Sequence, residues 1–312
     1  MDDAAVRDGS DTQAHRLGLL SGSVRTLLIG ANGQLGQELR QVYVDQDLIP
    51  LTHADLELTD RKQIEDALDR YGPELILNTA AYHRVDECED FPAKAYEVNA
   101  LAVRHLAQWA RAHEAVLVHF STDYVFDGRL NRPYTEADLP RPLSAYGISK
   151  LAGEYFIRAI HERHFVIRTC GLYGIAGSSG KGGNFIETML RLAREGREIK
   201  VVGDQVLTPT SAKELATKVR QVVETGAYGL YHITNNGACS WYEFAAATFE
   251  MAGMHPRLLE TTSAAFGARA TRPGYSVLDN ANLRRLSLDD LRHWRDALKE
   301  YLVDRLRTGG KK

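Results

Sequence analysis

The chain has 312 residues, of which 44% are apolar and 25% charged, and its formal net charge is −3. Those are ordinary globular values, and the length suits one large domain or two fused ones with a sizeable core. The slightly acidic balance offers no general basic surface for nucleic acid. Cys88, Cys170 and Cys239 stand far apart with no CxxC pair, which argues against a disulfide framework or a zinc site and suits a reducing cytoplasm. No apolar run approaches the roughly 20 residues that span a bilayer.

In chain order, residues 1–23 carry Asp2, Asp3, Asp8 and Asp11 and one short apolar cluster at 17–20. An export signal needs a basic start and a longer apolar region, so this leader reads as a poorly ordered extension outside the fold. Residues 24–29 then form a buried strand that ends in Gly30. The spacing predicts a helix over 33–44, a strand over 48–52, a helix over 61–70 and a strand over 74–78. One long helix is expected over 93–113, then a strand over 115–120, a helix over 145–162 and a strand over 165–168. Strands alternating with helices imply right-handed crossovers, hence an α/β, Rossmann-like, doubly wound parallel sheet. Beyond Thr169 the pattern loosens into a Gly- and Ser-rich loop over 171–184. Helices over 185–195, 212–224 and 241–252 follow, with strands over 199–202 and 229–233. The expected organisation is a nucleotide-binding domain over 24–170, to which 199–234 is a candidate to return. A smaller α/β substrate domain covers most of 171–305, and 306–312 is a tail.

At the first strand-to-helix junction, Gly30, Gly33 and Gly36 are spaced Gly-x-x-Gly-x-x-Gly, with Asn32, Gln34 and Leu35 among them. Glycine permits the tight turn and lets a pyrophosphate approach backbone N–H groups at the helix start. The first spacing is three, where the usual dinucleotide fingerprint has two. The end of the second strand normally reads the adenosine ribose, an acid favouring the 2′-OH and an arginine a 2′-phosphate. Leu51, Thr52 and His53 supply neither, and Glu57 and Leu58 lie just downstream. The choice between NAD(H) and NADP(H) therefore stays open.

Tyr146 and Lys150 stand at i and i+4, on one face of a predicted helix. A free tyrosine has a pKa near 10, too high for efficient proton transfer at neutrality. A nearby ammonium favours the phenolate, so this pair suits proton transfer to a carbonyl oxygen as hydride reaches its carbon. An exposed helix pair explains the same spacing. Upstream, Ser121 and Thr122 end a strand at the carboxyl edge of the sheet, where ligands bind in this architecture, and either hydroxyl suits the same carbonyl oxygen.

With these segments in this order, the chain resembles the extended short-chain dehydrogenase/reductase superfamily, and within it the dTDP-4-dehydrorhamnose reductase family. The resemblance runs from about Val24 to Leu302. It is carried by the glycine loop, the segment from Asn78 to Tyr82 with Val85 and Asp86, STDYVFDG from Ser121 and YGISKLAGE from Tyr146. Later come GDQVLTPT from Gly203, SWYEFA from Ser240 and RPGYSVLD from Arg272. The resemblance implies that Thr122, Tyr146 and Lys150 are catalytic. It implies that Gly30 to Gly36 hold the pyrophosphate, that Glu57 and Leu58 border the adenine, and that Ala80, Ala81, Tyr82 and Asn99 flank the nicotinamide half. Asp123, Tyr124 and Asn184 would lie on the substrate side. The implied reaction is reduction of the C4 ketone of dTDP-4-dehydro-L-rhamnose by NADPH or NADH. The family often carries a Trp after the sixth strand, near the substrate sugar; here residues 168–173 hold none, so an aromatic wall on the sugar is either missing or replaced by Tyr173, and the exact sugar stays open.

Trp109, Trp241 and Trp294 read as packing residues, Cys170 as a small packing residue and His83 as a loop histidine without chemistry. Asp86, Glu87, Glu89 and Asp90 suit a solvated acidic turn and leave a divalent cation open, though nothing in the sequence requires one. Lys181, in the basic loop before a predicted helix, suits a substrate diphosphate or a plain surface loop. A homodimer is also left open. A non-catalytic cofactor-binding subunit, like the regulatory subunit of methionine adenosyltransferase, is the alternative of a different class. A reductase or epimerase of another nucleotide sugar is the third reading.

Overall fold

Adjacent apolar residues in the first strand, Leu27 and Leu28, are both fully buried on opposite faces, as a strand covered on both sides requires. The computed structural model describes residues 23–176 and 183–308; the expectations for residues 1–22 and for Lys181 fall outside them. The central sheet has six strands in the order β10-β5-β4-β3-β1-β2. These are β1 (Arg25–Ile29), β2 (Asp47–Leu51), β3 (Leu75–Asn78), β4 (Val116–Thr122), β5 (His164–Thr169) and β10 (Gly229–His232), and all neighbours run parallel. The strand order reverses between β1 and β3, and ligands of open parallel sheets bind outside the carboxyl ends at such a point.

One face packs on α1 (Gln34–Val42) and α8 (Ala212–Glu224), through Leu35, Leu39, Leu215 and Val219. The other packs on α2 (Arg61–Tyr71), α5 (Ala102–Ala112) and α6 (Ala145–Ile160), through Ile64, Leu68, Leu106 and Ile157. The helix expected over 93–113 is not continuous. Pro92–Tyr96 (α4) and α5 are separated by a π-helical turn, Glu97–Leu101. A short helix not anticipated, α3 (Val85–Asp90), precedes them.

Outside the central sheet, β7 (Ile199–Val202) pairs with β12 (Leu258–Thr261), β8 (Val206–Leu207) with β11 (Cys239–Ser240), and β6 (Leu172–Tyr173) with β9 (Thr210–Ser211). A separate core gathers Ile186 and Leu190 of α7 (Phe185–Arg194), Phe244 of α9 (Trp241–Met251), and Trp294 and Leu298 of α12 (Trp294–Arg307). Between these last two lie the short helices α10 (Ser263–Phe266) and α11 (Ala281–Arg285). No helix among the described residues is long and apolar enough to cross a membrane. The three cysteines are buried thiols.

Candidate active site

β4 runs two residues further than its apolar run suggests, so Ser121 and Thr122 end the strand itself. Ser144 caps α6 by accepting from the Gly147 N–H at 3.2 Å. That cap starts the helix just before Tyr146 and places Lys150 one turn later on the same face. These groups meet in a cavity of about 520 Å³, within the range of small-molecule sites. Its wall includes Gly33 to Gly36, Ala81, Thr122, Asp123, Tyr124, Tyr146, Lys150 and Asn184. Gly30, Asn32, Glu57, Leu58, Ala80, Tyr82 and Asn99 are not part of that wall.

The two strand-end hydroxyls are not equivalent. Ser121 donates to Glu154 Oε1, which also accepts from Arg168 Nε at 3.0 Å. Thr122 instead stands next to the Tyr146 phenol on the cavity wall, and its hydroxyl donates to Asp123 Oδ1 at 3.1 Å. Thr122 is thus the hydroxyl set beside the tyrosine. Burial, the largest influence, pushes the Tyr146 phenol well above its ordinary value, and the neighbouring Thr122 hydroxyl works against it. The phenol is therefore protonated at neutral pH. Lys150 is not bonded to it: its Nζ donates to the Phe120 carbonyl at 2.6 Å and stands 3.2 Å from His119 Nε2. Burial lowers Lys150 to about 8, with Glu154 opposing the shift.

Asp123 is buried, and burial raises its carboxyl. Cys170 Sγ donates to its Oδ2 at 3.0 Å, so this cysteine lines the cavity with its thiol engaged, and burial pushes that thiol far up. Tyr124 meets Tyr146 edge-on at 6.0 Å. Asn184 reaches the cavity, yet its side chain caps α7 by accepting from the Glu187 N–H at 3.0 Å. Its amide nitrogen donates to the Gly174 carbonyl and to the Tyr301 hydroxyl, both at 3.0 Å.

The α1 N-terminus fits an anion. Its N-cap is Gly33, with no side-chain hydrogen bond to the first-turn N–H groups, and Gln34, Leu35 and Gly36 face the cavity. Uncapped N–H groups and the helix dipole favour a phosphate there. A Cβ on Gly36 would lie 2.3 Å from the Gly30 carbonyl oxygen, so only glycine lets the helix start this close to the turn. Gln34 Oε1 and Thr169 Oγ1, on residues of the same wall, are buried without a hydrogen-bond partner. A dinucleotide is the kind of ligand these polar groups suit.

Asn99 acts one step back from the cavity. Its amide accepts from Tyr82 N at 2.9 Å and donates to Tyr82 O and to Ser149 Oγ, both at 3.0 Å. It pins the loop after β3 to the helix between Tyr146 and Lys150. The Tyr82 side chain turns to Glu87. Glu57 accepts from Thr59 N at 2.9 Å, and Leu58 is in the core with Leu51 and Leu56.

One aromatic expectation is corrected, and a second, Trp241 as a packing residue, holds but is incomplete. Tyr173 is 1% exposed, packed on Tyr301 at 5.2 Å and Phe244 at 5.7 Å, and does not line the cavity. Trp241 does line it, tilted against Phe185 at 4.6 Å. The signal was present in SWYEFA: Ser240 and Glu243 form a capping box, which puts Trp241 on the first helical position, at the helix mouth. Trp109 and Trp294 are buried packing residues. The acidic turn is bonded within the protein: Asp86 pairs with Arg272, Glu87 with Arg84, Asp90 with Arg269, and Glu89 accepts from Ala145 N. Among the described residues no group of three His, Cys, Asp or Glu is placed to hold a metal.

Residues 24–307 match the family model described as the RmlD substrate binding domain. The chain belongs to the dTDP-4-dehydrorhamnose reductase family. This is a family of NAD(P)H-dependent oxidoreductases with a Rossmann-like fold. The chain is 40% identical over 283 residues to the spore coat polysaccharide biosynthesis protein SpsK of Bacillus subtilis, spanning 90% of this chain and 98% of that one. It is 38% identical over 285 residues to a dTDP-4-dehydrorhamnose reductase of Streptomyces griseus, spanning 88% and 92%. A crystal structure of dTDP-4-dehydrorhamnose reductase from Bacillus anthracis in complex with NADP aligns with a TM-score of 0.86 at 36% identity, covering 91% of this chain and all of that one.

Proposed function

We propose that this chain reduces the C4 ketone of dTDP-4-dehydro-L-rhamnose to dTDP-L-rhamnose, using NADPH or NADH. A reduced nicotinamide supplies the hydride to C4. The chain supplies the rest: the open N-terminus of α1 receives the pyrophosphate, Thr122 donates a hydrogen bond to the ketone oxygen, and Tyr146 gives that oxygen its proton. Trp241 offers the sugar an apolar wall. Lys150 holds the ribose beside the phenol, and Asn99 keeps the nicotinamide loop in register with both.

The observation that carries this reading is that Thr122, Tyr146 and Lys150 line the same cavity as the uncapped α1 start. A phenol held protonated by burial is the form that a proton donor to a new alkoxide requires. A cofactor-binding subunit without catalysis has no use for that grouping, which favours the enzyme. A nucleotide sugar and a soluble nicotinamide cofactor also place the protein in the cytoplasm. In the test, purified protein receives dTDP-4-dehydro-L-rhamnose with NADPH or NADH, and absorbance at 340 nm is followed. The expected result is oxidation of the cofactor only when the sugar nucleotide is present, with Tyr146→Phe slower by roughly 10²–10⁴-fold. Cofactor binding without consumption, with fresh substrate present, overturns the proposal. Turnover confined to another 4-keto sugar nucleotide overturns the rhamnose assignment alone.

A further inference from the structure

Behind the cavity, Asn78 of β3, His119 of β4 and Lys150 of α6 stand in series, each no more than 1% exposed. Their hydrogen bonds fix where the protons are. The Ala80 backbone N–H can only donate, and it donates to Asn78 Oδ1 at 3.2 Å. The other half of that amide, Nδ2, therefore faces His119 Nδ1 at 3.1 Å and donates to it. A neutral imidazole carries one proton, and with Nδ1 accepting, that proton sits on Nε2. Nε2 points at Lys150 Nζ, 3.2 Å away.

An N–H aimed at a lysine nitrogen needs a lone pair there, which an ammonium lacks. In this arrangement Lys150 is an amine, and its own hydrogen goes to the Phe120 carbonyl at 2.6 Å. A charged Lys150 would need the imidazole proton on Nδ1. The Asn78 amide would then have to reverse and release the Ala80 N–H, in the loop that leads to Ala81 on the cavity wall. The charge on Lys150 and the donors of that loop are thus mutually exclusive partners of one amide.

We propose that His119 is a positioning residue which, oriented by Asn78, favours the uncharged form of Lys150 until the cofactor arrives, so that cofactor binding takes up a proton. This rests on the reading of Lys150 as the lysine that faces the cofactor. The other titratable groups nearby are Glu154 and Tyr146 on its own helix, Asp123 just past the end of β4, and Cys88 of α3 beside the phenol. Glu154 favours the charged form, but it is engaged by Arg168 and Ser121. Burial is enough to hold His119 well below the usual imidazole range, and any charge on Lys150 acts in the same direction, so the ring does not compete by taking a second proton. Since Lys150 titrates at about 8 in the free protein, the amine dominates above that pH. Restoring it toward a normal lysine value on binding makes affinity fall by up to tenfold per pH unit above about 8.

Two measurements on the full chain decide it. The first is the ¹⁵N imidazole spectrum of the cofactor-free protein at about pH 9, in which His119 is expected as the Nε2–H tautomer. A proton on Nδ1 overturns the proposal, and this readout needs neither cofactor nor variant. The second is calorimetric titration with NADPH and NADH in buffers of different ionisation enthalpy. Uptake approaching about one proton per site is expected at pH 9 and little at pH 6.5. His119→Gln and His119→Phe should bind cofactor with most of the pH 9 uptake gone. Wild-type binding without uptake, or unchanged uptake in a folded variant, overturns the proposal. Failure of both cofactors to bind at any pH would instead remove the reductase reading and leave the tautomer result to decide on His119.

Discussion

Trp241 stands at the first position of α9, at the edge of the cavity. Its indole is part of the cavity wall, braced by Phe185, while Ser240 and Glu243 hold the helix start through groups that do not involve the ring. A residue that offers a flat apolar face to a sugar contributes to binding in ground and transition states alike, so its loss raises KM more than it lowers kcat. An aromatic contact of about 1–1.5 kcal/mol corresponds to roughly a tenfold change. Trp241→Ala should therefore raise KM for the sugar nucleotide about tenfold with kcat nearly unchanged, and should lower the thermal midpoint because the ring also packs on Phe185 and Phe244. Steady-state kinetics with the nucleotide sugar check this; a fall in kcat at constant KM would mean that the indole acts on chemistry. Tyr173→Phe gives the contrast, because that ring lies in the core and its hydroxyl is buried without a hydrogen bond. It should leave KM alone.

At the scale of elements, the start of α6 matters more than its composition. A Cβ on Gly147 would lie 2.3 Å from the Tyr124 carbonyl oxygen and 3.0 Å from Pro142 Cβ. Helix propensity alone would make Gly147→Ala favourable by about 1 kcal/mol. The backbone contact opposes it and cannot be relieved by turning a side chain. The helix must move, and it carries Tyr146 and Lys150. Misplacement by ~1 Å costs up to about 10²-fold in rate, so Gly147→Ala should lose one to two orders of magnitude in kcat while still binding cofactor. A variant with unchanged kcat would show that the turn after β4 yields instead of the helix. The π-helical turn at Glu97–Leu101 works at the same scale. One extra residue per turn re-aims a side chain, and here the turn contains Asn99, whose amide joins the loop after β3 to Ser149.

Across the whole molecule, one buried ion pair ties the sheet to α6, which carries Tyr146 and Lys150. Arg168 of β5 bonds to both oxygens of Glu154 on α6, at 3.0 and 2.6 Å. Ser121 of β4 joins Glu154, the Phe126 ring lies 5.1 Å from the guanidinium, and His232 of β10 stands 3.5 Å away. Burial and then Arg168 lower His232 to about 3, so it adds no second charge. Removing one partner of such a pair leaves an uncompensated charge in the core, a loss of about 3–5 kcal/mol. Glu154→Ala should therefore lower the stability measured by urea unfolding by about that amount. A loss below about 1 kcal/mol would mean that water reaches Arg168.

The parallel sheet was legible because both-face burial writes continuous apolar runs, as in Leu27, Leu28 and Ile29, and the glycine loop and the Tyr146–Lys150 spacing mark its carboxyl edge directly. The rest depended on contacts that no local pattern records. Residues 93–113 have the apolar spacing of one helix, and nothing in that spacing reveals a π turn at Asn99. Asn184 sits beside the cavity but spends its amide on capping α7. His119 has an apolar neighbour on each side and reads as one more core position until its partners from β3 and α6 arrive.

The capping box in front of Trp241 has a further consequence for how such proteins diversify. Ser240 and Glu243 secure the start of the helix through their own bonds, so the side chain at 241 can be exchanged without losing the cap, at the cost of its packing on Phe185 and Phe244. New substrate preferences can then arise by replacement at that single position, which makes it the first place to randomise when redirecting the protein toward another deoxysugar.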